Sequence, residues 1–162
     1  MRVLFCTSKL PGAAIIRAVT WSDWSHVAIV DGDEVIEATW PSVRVVPLAD
    51  VIAKHSAHCI VDMQCQDDAA VIAAARSQVG KPYDLTALFG ILTHRDWQET
   101  DAWFCSELVA WAFSQGGSPL FRPEAMHRIT PQHLWMLAPA PPPPDPALLA
   151  PIEGRLVRPS SF

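Results

Sequence analysis

The sequence predicts an α+β fold, an antiparallel sheet with helices packed on it, and three observations predict it. Strand-like segments gather in the first half and helix-like segments mainly in the second. Asp31-Gly32, set between two β-branched runs, is a hairpin signal. Phe104-Cys105-Ser106-Glu107-Leu108-Val109-Ala110 opens a helical pattern that Gly116-Gly117 stops, which puts a cysteine at a helix start.

The elements follow in order. Residues 2–7 form a short apolar run and predict a buried strand. Ile15, Ile16 and Val19 give residues 12–20 a helical spacing. Residues 26–30, 34–39 and 43–47 predict three strands, 49–54 a short helix, and 58–64 another strand. Asp67-Asp68 begins an alanine-rich helix to about Val79, with acidic residues in its first turn and Gly80 and Pro82 after its last. Residues 84–92 predict another short helix. The cysteine helix runs from about Phe104 to Gln115. Thr130-Pro131 starts a last helix, because proline fits the first helical position. Pro139 to Pro146 is a stiff, extended connector, and 152–158 is an edge strand or a tail. The expected division is a single catalytic domain over 1–138 and a Pro-rich connector with C-terminal segment over 139–162.

A chain of 162 residues suits one domain with a real core. A formal net charge of -5 and scattered Lys and Arg argue against nucleic acid as a partner. No segment approaches the ~18 apolar residues of a membrane span. The run Val3-Leu4-Phe5-Cys6 is too short for a signal peptide, so a cytoplasmic location is expected, with export by another route left open. Cys6, Cys59, Cys65 and Cys105 show no repeated spacing and are expected to be free thiols. His55-x-x-His58 with Cys59 and Cys65 fits no common zinc spacing; no metal and no cofactor is expected.

The chemistry rests on three residues. A thiol at a helix start meets the positive end of the helix dipole, which favours its nucleophilic thiolate. His26 lies on one strand and Glu37 on the next. A two-residue Asp31-Gly32 turn sets His26 opposite Glu37. A Gly32-Asp33 or four-residue loop sets His26 opposite Thr39 with Glu37 diagonal to it. Either register puts both side chains on one face. A three-residue loop without a bulge separates them. A carboxylate on one ring nitrogen fixes the imidazole and leaves the other to take the thiol proton. Glu107 is two residues from Cys105, a rotation of roughly 200°, so it points away from the thiol and is expected to act near the helix start or in a polar contact.

Ser25-His26-Val27-Ala28-Ile29, Val35-Ile36-Glu37-Ala38, Val45-Val46-Pro47-Leu48, Gly80-Lys81-Pro82-Tyr83-Asp84 and Phe104-Cys105-Ser106-Glu107-Leu108-Val109 stand in that order. Together they resemble the circularly permuted NlpC-like cysteine hydrolases of papain-like fold, the YaeF/YiiX-like group, over about residues 22–115. In that group histidine precedes cysteine in the chain. The resemblance implies Cys105 as nucleophile, His26 as general base and Glu37 as third polar residue. It matches Tyr83 to a tyrosine near the active site, in substrate binding or oxyanion contact. Trp24 and Trp103 flank the site in sequence and are candidates for a groove wall. Substrates implied by the resemblance are peptide amides of the cell wall or lipid-linked amides. Related permuted proteins are acyltransferases, so an acyltransferase or thioesterase using the same thiol is the alternative. A non-catalytic binding module of papain-like fold is the alternative from another class.

Overall fold

Among the described residues, alternation of Val, Ile and Ala dictates five strands, and each strand meets its neighbour antiparallel. They are β1 (Arg2–Thr7), β2 (His26–Asp31), β3 (Glu34–Thr39), β4 (Ser42–Pro47) and β5 (Ala57–Asp62), ordered β4-β3-β2-β1-β5 across the sheet. Helix α1 (Pro11–Thr20) joins β1 to β2, and α2 (Leu48–Lys54) joins β4 to β5. After β5 come α3 (Asp68–Arg76), α4 (Cys105–Gln115), a 3₁₀ turn (Pro123–Arg128) and α5 (Pro131–Leu137). The computed structural model describes residues 1–9, 11–84 and 102–139. The expected helix at 84–92, the Pro-rich connector and the 152–158 segment lie outside these, save for the first residue of each of the first two.

The strand period of two sorts the core into two layers. Val3, Phe5, Val27, Ile29, Ile36 and Val43 face Leu108, Val109 and Ala112 of α4 and Val71 of α3. Leu4, Cys6, Ala28, Val30 and Val35 face Val51 of α2. Full burial of each larger aliphatic side chain contributes roughly 1.5–3 kcal/mol.

Local chemistry sets the helix ends. Asp67 caps α3 by accepting from the Ala70 N–H at 3.0 Å. The helix ends at Arg76, before the expected Val79. Beyond it, bonds from Gln78 to Ala75 and Val79 to Arg76 tighten the chain, and Gly80 turns it at φ +91°. Thr130 caps α5 ahead of Pro131. The strand expected at 58–64 is shifted to Ala57–Asp62 by its pairing with β1, Thr7 opposite Ala57 and Arg2 opposite Asp62.

The structure decides between the two registers. Asp31 pairs with Glu34, Val30 with Val35 and Ile29 with Ile36, so the turn is Gly32-Asp33 and not Asp31-Gly32. Gly32 takes φ +60° at the first turn position, which glycine does at no steric cost. Arg76 of α3 bonds Asp31 and Glu34 on either side of this turn, each at 2.6 Å, and holds the two strand ends together.

Candidate active site

His26 is the first residue of β2, where Cys6 of β1 stands opposite it and the Ser25 N–H donates to the Cys6 carbonyl at 3.0 Å. It therefore sits at an end of the sheet. Extended along the strands, the observed register puts Thr39 opposite His26 and Glu37 opposite Ala28. Glu37 reaches the imidazole along the diagonal: His26 Nε2–H donates to Glu37 Oε2 at 2.8 Å. Glu37 is buried, with a side chain 3 % exposed.

A third strand completes the row. The short Trp40-Pro41 turn pairs Thr39 with Ser42, which sets Arg44 directly opposite Glu37. Arg44 donates from Nε and Nη2 to Glu37 Oε1, at 2.9 and 2.7 Å. Both carboxylate oxygens are thus engaged, one by the imidazole and one by the guanidinium. Sequence reasoning missed Arg44. Counting the pairs back from the Trp40-Pro41 turn finds it.

Cys105 is the first residue of α4, and its thiol lies near enough to the His26 ring to act on its charge. With Nε2 given to Glu37, Nδ1 is the nitrogen left for the sulfur. Two features seat the helix start, and one seats its far end. The Phe104 N–H donates to Glu107 Oε2 at 3.3 Å, the helix-start contact expected of Glu107. Ser106 Oγ donates to the Ile129 carbonyl at 2.5 Å. At the far end Gly116 lets α4 approach α3: a Cβ there would lie 2.5 Å from Val71 Cγ2.

The electrostatics follow from these contacts. Burial disfavours the charged imidazole, but hydrogen bonds to Cys105 and Glu37 and their negative charges prevail and raise His26 to about 10. Burial also opposes the Glu37 carboxylate, yet its bonds and charge attraction to His26 and Arg44 hold it down at about 2. Cys6 differs: burial, then the charges of Glu37 and Cys105, push its thiol up to about 12. Cys6, Cys59, Cys65 and Cys105 are all free thiols.

The segment after α3 delivers Tyr83. Gly80 N–H donates to the Val43 carbonyl, Val43 N–H to Lys81, and Tyr83 N–H to Pro41, which lays the segment along the start of β4. Tyr83 also bridges to Trp103, two residues before Cys105, and its ring lies 6.0 Å from that of Phe104. Burial, with the charges of Cys105, Asp84 and Glu107, raises its phenol and keeps it protonated.

A cleft of about 310 Å³ opens beside His26, lined by Glu37, Arg44, Lys54, His55 and Tyr83 among others. The His55 ring stacks on that of His26, at 5.9 Å and 3° between planes, and its Nδ1–H donates to the Val51 carbonyl at 2.7 Å. Cys105 is 1 % exposed and does not line the cleft. Nor do the two candidate groove tryptophans. Trp24 packs between Phe5 and Trp135. Trp103 packs on Trp111, and its Nε1–H donates to Gln78 Oε1 at 3.2 Å. Among the described residues no three His, Cys, Asp or Glu side chains gather closely enough to hold a metal ion.

A cysteine at a helix start, with a histidine and a carboxylate on two neighbouring antiparallel strands that precede it in the chain, defines a permuted papain-like arrangement. The chain belongs to the family of permuted papain-like amidase enzymes, YaeF/YiiX, the C92 family of cysteine peptidases, whose model matches residues 2–143. Among solved structures it is similar to the crystal structure of metalloprotein YiiX from Escherichia coli O157:H7, with a TM-score of 0.58 and 22% sequence identity. That match covers 71% of this chain and 64% of YiiX, so the chain spans under two thirds of the other's length, and the likeness is one of fold. No curated protein matches.

Proposed function

We propose that this chain hydrolyses amide bonds through an acyl-thioester on Cys105. The observation that supports this best is the row Arg44, Glu37, His26, in which each side chain bonds the next, with the Cys105 thiol at the start of α4 acting on the same imidazole. His26 takes the thiol proton and becomes the imidazolium that Glu37 stabilises. The sulfur attacks the amide carbonyl carbon, forming the C–S bond and a tetrahedral oxyanion. Backbone N–H groups at the start of α4, which a helix leaves without partners, receive that oxyanion, and the protonated Tyr83 hydroxyl lies close by. His26 returns its proton to the nitrogen as the C–N bond breaks and the amine leaves. Water, deprotonated by His26, then attacks the thioester, and acid and thiol are released.

The cleft ends at His26 and Tyr83, short of the buried thiol. Attack therefore needs a small side-chain displacement that joins cleft to sulfur. Residues 1–138 form the catalytic unit in this reading, and the substrate is a peptide amide or a lipid-linked amide. No described helix is long and apolar enough to cross a membrane. The test is hydrolysis of a panel of peptide and fatty-acyl amides by the wild-type chain, Cys105→Ala and His26→Ala. Loss of hydrolysis in both variants supports the proposal. Undiminished hydrolysis in Cys105→Ala refutes it.

A further inference from the structure

The cleft beside the site carries an imbalance of charge that the hydrolytic steps do not use. Among the described residues its wall holds one carboxylate, Glu37, and both oxygens of that group are taken by His26 and Arg44. Against it stand the cations Arg44 and Lys54, with the His55 ring alongside. Arg44 spends Nε and Nη2 on Glu37 and has Nη1 to offer. His55 donates its Nδ1–H to the Val51 carbonyl, so its ring walls the cleft without an N–H turned to an anion. Lys54, in the last turn of α2, is exposed and has no acidic partner among the described residues. The chain as a whole carries -5, so a surplus of positive groups here runs against its average. Like-signed charges lining a concave, partly desolvated wall focus the field on a ligand of opposite sign.

We propose that the cleft binds an oxyanion group of the substrate, a carboxylate or a phosphate, next to the scissile amide, with Lys54 and Arg44 Nη1 as its partners. The inference rests on the amidase reading, since it takes the cleft as the approach to Cys105. A volume of about 310 Å³ suits one such group with a short stem, and a ligand of that size stays in contact with the wall. A planar guanidinium edge and an ammonium together match the oxygens of either anion.

The test alkylates the full chain with iodoacetate and iodoacetamide, an anionic and a neutral reagent for the same sulfur, and maps the product to Cys105. The readout is the ratio of the two rates, set against the ratio for N-acetylcysteine. The His26 imidazolium attracts iodoacetate in any event, so the decisive comparison is between wild type and Lys54→Gln. The ratio is expected to fall roughly threefold or more in Lys54→Gln, and toward that of the free thiol in about 0.5 M salt, because exposed charges are screened there. Inorganic phosphate and acetate are compared as protectants against iodoacetamide. Protection by phosphate assigns a phosphoryl-bearing substrate and protection by acetate a carboxylate-bearing one; protection by neither overturns the proposal. An unchanged ratio in Lys54→Gln also overturns it while leaving the nucleophile intact. If neither reagent modifies Cys105, the amidase reading falls and this inference falls with it.

Discussion

Glu37 holds His26 from a diagonal position, Oε2 to Nε2 at 2.8 Å, although the two residues are not cross-strand partners. From the diagonal the carboxylate meets Nε2 and leaves Nδ1 for the helix start at Cys105. Glu37→Gln keeps an oxygen able to accept from Nε2 and removes the charge. Amide hydrolysis is expected to drop roughly ten- to a hundredfold, mostly in kcat, because the imidazolium loses its counter-ion. Steady-state kinetics of the variant check this; an unchanged kcat contradicts the role given to Glu37.

Arg44 acts through Glu37 and not on the substrate carbonyl. Arg44→Met leaves Glu37 Oε1 unpartnered and lets the Glu37 pKa rise from about 2. The acid limb of the pH–rate profile is expected to move toward neutrality in this variant, while Arg44→Lys recovers part of the shift. A profile that overlays the wild type would assign Arg44 to the cleft alone.

The His26 shift has a definite sign. Its folded pKa of about 10 lies above the ordinary 6.5, so the imidazolium contributes stability that is fully present below 6.5 and lost as pH rises through about 10. The pH-dependent part of the gap in unfolding free energy between wild type and His26→Ala is expected to be full below about pH 6.5 and to disappear as pH rises through about 10. Hydrolysis is expected to decline on the same alkaline limb, since His26 must carry the proton for the leaving amine. Glu37 has the opposite sign: its stabilisation is present above the ordinary 4.5 and lost as pH falls through about 2. Denaturant titrations across pH read both limbs.

Gly116 tests the seating of α4. Its φ of -77° suits any residue, so the cost of Gly116→Ala is steric: the new methyl would meet Val71 Cγ2 at 2.5 Å and Val71 N at 3.0 Å. We expect a loss of about 1–3 kcal/mol and a Tm lower by roughly 3–10 °C, with the Cys105 end of the helix least affected. Calorimetry of the variant decides it, and Val71→Ala in the same chain should restore much of the loss.

The five strands and the cysteine helix were legible because each is written in short-range chemistry: alternation for β1 to β5, and glycine stops after Gln115. The meeting of His26 with Glu37 was legible as one of two registers, but the choice between them was not. It depends on the turn starting at Gly32, one residue later than the Asp-Gly signal suggests, with Arg76 of α3 bonded to both flanks of the turn. Arg44 could have been counted from the Trp40-Pro41 turn. His55 could not, because its stacking on His26 depends on how α2 folds back over the sheet. The packing of Trp24 against Phe5 and Trp135 joins residues far apart in the chain, which sequence proximity to the site does not reveal.

The central claim is that Cys105 carries the acyl group. Rapid-quench mass spectrometry of the full chain mixed with an activated acyl amide tests it most directly, with peptide mapping of the adduct. The account predicts one acyl mass on the peptide containing Cys105, formed and discharged at the rate of turnover, slowed in His26→Ala and absent in Cys105→Ala. An adduct on another residue, or turnover by Cys105→Ala at the wild-type rate, would contradict it.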